Sequence, residues 1–496
     1  MASSPSLPAL PSDHARAAMV EPESGWSLSY PDLEATVERL AGELVALGVA
    51  PGAHVGLLSG NGPEVVLAFL AVARAGAAAV PINPSLTGIE IARMFEELGP
   101  AVLLVDRAES SPAVEDVCRR FAVAAHEIAR IPSPGFGAAS AIAVPPEPDP
   151  DTVALLLQTS GTTSRPKTVP LRHRHLVASA RTIAAWYALG PEDVTYCVMP
   201  LFHIHGLVAS TLATLASGGT LVVPRRVRPR AFLPDLAAHG VTWVSAVPTL
   251  MARLAGAGPG PDAASLERLR FARTSSAALA PAMIAEFEAA FGVPILEAYG
   301  MTEATHQMAS NPLPPGERRP GTVGLATGIE IATIDEAWDP VAPGVAGEVA
   351  IRGATVIESY LDNPEANAVS FRDGWFRTGD VGTLSRDGYL TLVGRIKELI
   401  NRGGEKIAPR EIDEVLLAHA AVAEAVAYGV PDAKYGEIVH AVVVARAPVQ
   451  PAELIAHCGA HLAAFKVPVA VRIVDEIPKG PTGKVQRVAL AEQLGA

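Results

Sequence analysis

The chain has 496 residues, of which 49% are apolar and 18% charged, and 39 Lys and Arg stand against 52 Asp and Glu for a net charge of −13. At roughly 150 residues per domain this is about three domain-sized units with a large buried core, which excludes disorder as the main state. An acidic chain without a basic tract makes a poor binder of nucleic acid or of a membrane surface, so an anionic ligand must be held locally.

Ser29 and Asp32 mark a helix start, and Leu33, Val37, Leu40, Leu44 and Leu47 then form one apolar stripe that Gly48 closes. HVGLL (54–58) reads as a buried strand. The unit repeats as helix 63–75 followed by AAAVPIN, and as helix 88–98 followed by AVLLVD (101–106). Helix and short apolar strand in alternation predict an α/β protein with a mostly parallel sheet. The longest apolar stretch, 65–82, is broken by Arg74 and Gly76 and is too short to span a membrane. Residues 131–150, rich in Pro, Gly, Ala and Ser, predict a surface loop. From about 321 the short pieces IEIATI, GEVAIRG and GYLTLVG predict a β-rich subdomain. Residues 399–496 mix helical stretches (409–418, 451–464) with strands and have the size of a small α+β domain. Charges and glycines in GRIKELINRGG (394–404) predict a hinge, so the expected division is 1–393, a hinge at 394–398, and 399–496. Cys118, Cys197 and Cys458 lie far apart without a CxxC pair, which supports neither a zinc framework nor a disulfide scaffold. The first residues lack a basic region followed by an apolar run, and a reduced, cytoplasmic protein is expected.

Chemistry concentrates first in QTSGTTSRPKTVPLRH (158–173). ALLLQ before it reads as a strand, and HLVASARTIAAW after it as a helix. Between them Thr159, Ser160, Thr162, Thr163 and Ser164 surround Gly161, and Arg165 and Lys167 follow. A strand–loop–helix turn with hydroxyls, backbone N–H groups and a lysine suits a polyphosphate, although a polar linker has the same composition. A Walker A loop is disfavoured because Pro166, which has no N–H, stands where its second glycine belongs.

This segment closely resembles the phosphate loop of the adenylate-forming superfamily, which includes acyl-CoA synthetases, peptide-synthetase adenylation domains and firefly luciferase. MPLFHIHGL (199–207), EAYGMTEAT (297–305), GWFRTGD (374–380), GRIKELINRGGEKIAPREID (394–413) and PTGKVQR (481–487) follow in the family's order and extend the resemblance over nearly the whole chain. It implies a large N-terminal domain of two α/β sheets with a distorted β-barrel, a small mobile α+β C-terminal domain, and the use of ATP, Mg²⁺ and coenzyme A. It assigns to the nucleotide Thr159, Ser160, Gly161, Thr162, Thr163, Lys167, Ala277, Glu297, Ala298, Tyr299 and Gly300, with Tyr299 stacked on adenine. Asp380 would grip the ribose hydroxyls, with Arg395 near the ribose and α-phosphate. The implied catalytic set is Lys484, Thr302, Glu303 and His203: Thr302 donates to the α-phosphate, Glu303 offers a hard oxygen to Mg²⁺, and Lys484 meets the carboxylate and α-phosphate oxygens. Lys397 matches the hinge position.

Ser164 and Thr168 depart from the family's common glycines. TTSRPK, MTEATH with MASNPLP, and GRIKELINRGGEKI with AFKVP resemble the oxalate–CoA ligase branch in particular. His203, His205, His306 and Ser276, with Ser275 beside it, are candidates for a polar pocket that takes a second carboxylate, where a histidine near the bound anion has its pKa raised and can be charged at pH 7. The alternatives are buried core histidines or, less favoured, a zinc site. His173 and His175 read as solvated or as a fringe of the coenzyme A site. The resulting expectation is an ATP-dependent acid–CoA ligase acting on a short carboxylic acid, oxalate first, as a monomer or homodimer, with no nucleic acid or membrane partner. Malonate or another short or medium-chain acid, a carrier-protein-loading enzyme, and an inactive nucleotide-binding regulator are the alternatives.

Overall fold

The computed structural model describes residues 16–128, 145–159, 166–226, 228–258, 266–277 and 281–479, together with Leu7, Leu279, Val485, Arg487, Leu490 and Gln493. Local chemistry sets the first helices. Ser29 caps Tyr30–Ala46 by accepting from the Asp32 N–H, and Thr87 and Glu90 form a reciprocal box at the start of Gly88–Leu98, which Gly99 closes at φ 53°. Pro63–Arg74 is buried on almost every side, which explains the long apolar stretch as a core helix. The strands between these helices form a six-stranded sheet in the order Ala124–Glu127, Val102–Val105, His54–Leu58, Ala78–Ile82, Val153–Thr159, Lys167–Arg172. Every pairing is parallel except the last.

That last strand corrects the expected strand–loop–helix turn. Lys167–Arg172 returns antiparallel to Val153–Thr159 before the helix His173–Trp186 begins, so the segment is a hairpin and no helix N-terminus opens directly on it. Pro170 hides this strand from a sequence reading. It is tolerated because the strand lies at the sheet edge, where a missing N–H breaks no second ladder.

A second sheet has nine strands. Its central members Val194–Tyr196, Trp243–Ala246, Phe271–Thr274 and Ile295–Met301 are parallel, and His306–Ser310 and Leu325–Ala326 extend it antiparallel. A π-helix, His205–Leu212, is buried along its length against this sheet. The predicted β-rich region is a five-stranded antiparallel sheet built on Ala346–Arg352 and Trp375–Leu384. Leu390–Arg395 pairs with the second of these and leads into the 3₁₀ turn Ile396–Glu398. Beyond it, Ile400, Ile412, Leu416, Val443, Leu454 and Val471 share a hydrophobic core of their own, between a five-stranded sheet and the helices Pro409–Leu417 and Pro451–His461. The architecture is thus mixed α/β, with a large N-terminal domain and a smaller C-terminal one. Among the described residues no helix is long and apolar enough to cross a membrane.

Candidate active site

One tight hairpin organises the site. Ile295–Met301 runs into the 3₁₀ turn Thr302–Ala304, and the chain reverses through Thr305 (φ 53°) and His306 (φ 95°) into His306–Ser310. A Cβ on Gly300 would lie 1.9 Å from the His306 carbonyl oxygen, so only glycine lets the two strands close this way. Ser179 and Thr305 hydroxyls pin the turn by donating to the carbonyls of Thr305 and Thr355, both at 2.6 Å. Left-handed backbone at two adjacent non-glycine residues is strain of the kind that gathers at functional sites.

The turn places Glu303 in the interior, 7% exposed, where its carboxylate accepts from the Tyr360 hydroxyl at 2.9 Å. Burial raises the Glu303 pKa, against the pull of Tyr360, Arg395 and Lys167. The Lys167 ammonium sits 4.4 Å from the centre of the Tyr360 ring, and burial and then Lys397 lower its pKa. Lys397, within the 3₁₀ turn, therefore faces the same cluster. Asp380 lies mid-strand opposite Arg395 in register, not in an Asx turn; it accepts from Arg395 Nε at 2.9 Å and from the Tyr299 hydroxyl. Burial, and then Asp380, push the Tyr299 phenol well above its usual range, while Asp380 holds Arg395 charged. The structure thus brings together Lys167, Tyr299, Glu303, Asp380, Arg395 and Lys397, and adds Tyr360, for which the sequence carried no signal. Thr302 begins the same turn, and its carbonyl accepts from the Thr305 N–H. Glu297 is buried just upstream; its carboxylate accepts from the Gly321 N–H at 2.9 Å, and burial pushes its pKa up to about 7. Ala298 is buried in the same strand, Ala277 is exposed, and the Thr159 hydroxyl donates to the Lys167 carbonyl at 3.4 Å. Ser160, Gly161, Thr162, Thr163 and Lys484 lie outside the described residues.

Glu303 suits Mg²⁺ as a single carboxylate. Among the described residues no group of three or more His, Cys, Asp or Glu could cage a metal ion, so zinc gains no support. A lone hard oxygen leaves the remaining coordination to phosphate and water, which is how Mg²⁺ is commonly held. A cation there would also offset the burial of the carboxylate.

The acyl side is organised by a residue the sequence reading passed over. Arg273, in the strand Phe271–Thr274, is fully buried. Its Nε donates to the Tyr187 hydroxyl (3.1 Å) and to Gln307 Oε1 (3.2 Å), and its Nη1 to Ser245 Oγ (2.8 Å) and His205 Nε2 (3.3 Å). Its Nη2 donates to His306 Nδ1 at 3.2 Å. The rings of His205 and His306 lie 4.9 Å apart, and His205 Nδ1 is 3.3 Å from Ser276 Oγ. Ser276 is a third non-glycine residue with left-handed backbone here, at φ 78°, and the buried Ser275 hydroxyl has no hydrogen-bond partner among the described residues. His203 stands at the rim of the group, its Nδ1 accepting from the His205 N–H at 3.2 Å. A guanidinium only donates, so the ring nitrogens that face Arg273 accept, and the fixed cation of this cluster is the guanidinium. The sequence offers for Arg273 only its place at the head of RTSSAAL, before Ser275 and Ser276. His173 and His175 are also corrected. Both are fully buried, their Nδ1 atoms accepting from the Leu7 and Arg172 N–H groups, and burial lowers His173 to about 4. They are structural.

Paired charges around a buried carboxylate, beside a buried cluster of arginine and histidines, have a chemistry suited to a phosphate and a small acid. The AMP-binding enzyme family model matches residues 10–361, and the AMP-binding enzyme C-terminal domain matches 411–484. An oxalate–CoA ligase of Arabidopsis thaliana is 42% identical over 488 residues, covering 95% of this chain and 94% of the relative. An oxalate–CoA ligase of Saccharomyces cerevisiae is 48% identical over 345 residues, 68% of this chain and 63% of the relative. The ATP-bound crystal structure of MatB from Rhodopseudomonas palustris superposes with a TM-score of 0.89 at 30% identity, over 97% of this chain and 96% of that one. The chain belongs to the AMP-binding enzyme family and, within it, to the AMP-forming acid–CoA ligases.

Proposed function

We propose that the chain joins oxalate to coenzyme A through oxalyl-adenylate. The carrying observation is the cluster of Arg273, His205, Ser276 and His306, which sets a buried guanidinium against His306, three residues along the chain from the carboxylate read as the metal ligand. A fatty acyl chain would want an apolar lining there. A buried carboxylate needs donors or positive charge, and a very short acid needs them close to the phosphate. The two relatives named oxalate–CoA ligases support the reading.

In the first step a carboxylate oxygen of oxalate attacks the α-phosphorus, the α–β anhydride bond breaks and pyrophosphate leaves. In the second the coenzyme A sulfur attacks the activated carbonyl, AMP departs with the bonding pair, and the thiol proton passes to solvent. Lys167, Arg395 and Lys484 supply positive charge around the phosphates, and Asp380 orients the ribose. Bound at Glu303, Mg²⁺ would neutralise phosphate charge. The C-terminal domain turns about Lys397 between the steps, a change that X-ray scattering of the enzyme with ATP and then with coenzyme A would register. We place the enzyme in the cytoplasm, where its three buried cysteines stay reduced.

The test is kcat/KM for oxalate, malonate, acetate and octanoate, followed by coenzyme A consumption. Oxalate is expected to lead acetate and octanoate by roughly 100-fold or more. Preference for octanoate, or adenylation that consumes no coenzyme A, would overturn the proposal.

A further inference from the structure

Arg273 is sealed from solvent, and none of its five hydrogen bonds ends on a carboxylate. The groups that face it are Tyr187 at the C-cap of the helix His173–Trp186, His205 from the π-helix, Ser245 from Trp243–Ala246, and His306 and Gln307 from the hairpin. Just before its own strand Arg270 is paired with Asp193. On the next strand Arg273 is in register with Leu296, and the carboxylate that follows, Glu297, is bonded to the Gly321 N–H. Glu303 is bonded to Tyr360. Among the described residues no carboxylate is bonded to the guanidinium. A guanidinium cannot release its proton, and a buried charge without a counter-ion is costly. Among the described residues the guanidinium is therefore a fixed positive charge without a bonded counter-ion.

The same geometry fixes two tautomers. A guanidinium only donates, so His205 Nε2 and His306 Nδ1 must both present lone pairs. The Ser245 hydroxyl, 2.7 Å from His205 Nε2, then donates to it as well. The single proton of His205 is left on Nδ1, aimed at Ser276 Oγ, and that of His306 on Nε2. Each ring is a neutral donor polarised by the cation behind it.

We infer that Arg273 is a positioning residue for acid selection: it locks His205 and His306 as neutral proton donors and delivers through them the positive charge that the second carboxylate of the substrate meets. This rests on the oxalate reading and deepens it. Selectivity for a dianion then needs no protonated histidine, so it persists at pH values where imidazolium would be absent. Arg273 need not touch the acid. A lysine in its place keeps a charge but loses the planar fork that reaches both rings at once.

The experiment compares the full-length wild type with Arg273→Lys and Arg273→Met, measuring kcat/KM for oxalate and acetate from pH 5.5 to 8.5. In wild type the oxalate-to-acetate ratio is expected to stay flat across this range. In Arg273→Met it is expected to fall roughly 100-fold at pH 8 and to recover as the pH drops, because the released histidines can then protonate and replace the missing charge. Arg273→Lys is expected to lose about 10-fold without that recovery. Equal losses on both acids with a flat profile would make Arg273 a purely structural residue and overturn the inference alone. A wild type that prefers acetate would overturn the oxalate reading and the inference with it. Should Arg273→Met fail to fold, histidine NMR of the wild type decides: neither the His205 nor the His306 resonance should titrate between pH 5.5 and 8, and one that does refutes the lock.

Discussion

The nucleotide side and the acyl side of the site handle buried charge in opposite ways. On the nucleotide side the central charges have partners: Asp380 holds Arg395 and Tyr299, and Glu303 holds Tyr360 with Lys167 close by. On the acyl side Arg273 stands among neutral donors and acceptors. A balanced cluster can exchange one partner for a ligand at little cost, since the incoming ribose or phosphate replaces bonds already present. An unbalanced one rewards only a ligand that brings the missing charge. On the proposed reading, recognition of the nucleotide sits where charges are paired, and choice of the acid sits where one is not.

The largest effect that would test this division is on Lys484, which the family's motif assigns to the adenylation transition state. Lys484→Ala is expected to lower pyrophosphate release by about 1,000-fold or more, while coenzyme A transfer from synthetic oxalyl-adenylate stays within a few-fold of wild type. Equal losses in both half-reactions would refute the assignment.

A smaller loss should separate the members of the paired cluster. Glu303→Gln is expected to cut adenylation about 100-fold and to raise the Mg²⁺ concentration needed for half-maximal rate. Tyr360→Phe removes one hydrogen bond to a charged group and should cost about 10-fold, with the same shift in Mg²⁺ dependence. The two changes act on one carboxylate, so the double variant should be little worse than Glu303→Gln. Full additivity would show that Tyr360 does not work through Glu303.

What the sequence made legible divides along the same line. Glu303, Asp380 and Arg395 were legible only through the ordered motifs of the family, since each alone reads as an ordinary solvated or turn residue. The alternation of helix and strand was equally plain, because stripes such as Leu33, Val37 and Leu44 have one period and one explanation. Tyr360 and Arg273 were not legible for a different reason. Each acts through a contact between segments far apart in the chain: Tyr360 reaches back 57 residues to Glu303, and Arg273 gathers side chains from four other elements. A lone arginine in a short strand looks like an edge residue until its neighbours are known. The buried His173 and His175 misled for the same reason, since RHRH is a polar string whose burial only tertiary packing decides.

Glu297 offers the finest test, because it is the anionic counterpart of Arg273. Both are buried and neither is hydrogen-bonded to an opposite charge, but a carboxylate can relieve its burial by taking a proton and a guanidinium cannot. Burial moves Glu297 from about 4.5 to about 7, with Arg410 of the C-terminal domain pulling it partly back. The folded chain therefore binds the proton more tightly than the unfolded chain does. The sign follows: the stabilisation is complete below pH 4.5 and is lost as the pH rises through 7, where the folded state must hold the ionised form. At most this amounts to on the order of 3 kcal/mol. Glu297→Gln keeps an acceptor for the Gly321 N–H and removes the titration, so its urea midpoint should exceed that of wild type at pH 8 and match it near pH 5. A change at Arg273 should produce no such window, because nothing there titrates on unfolding except the histidines it holds neutral, and their release would move stability in the opposite direction, upward with pH. A Glu297→Gln variant whose advantage over wild type is the same at pH 5 and pH 8 would show that this carboxylate is not the proton reservoir, and that the two sides of the site do not differ in the way they carry buried charge.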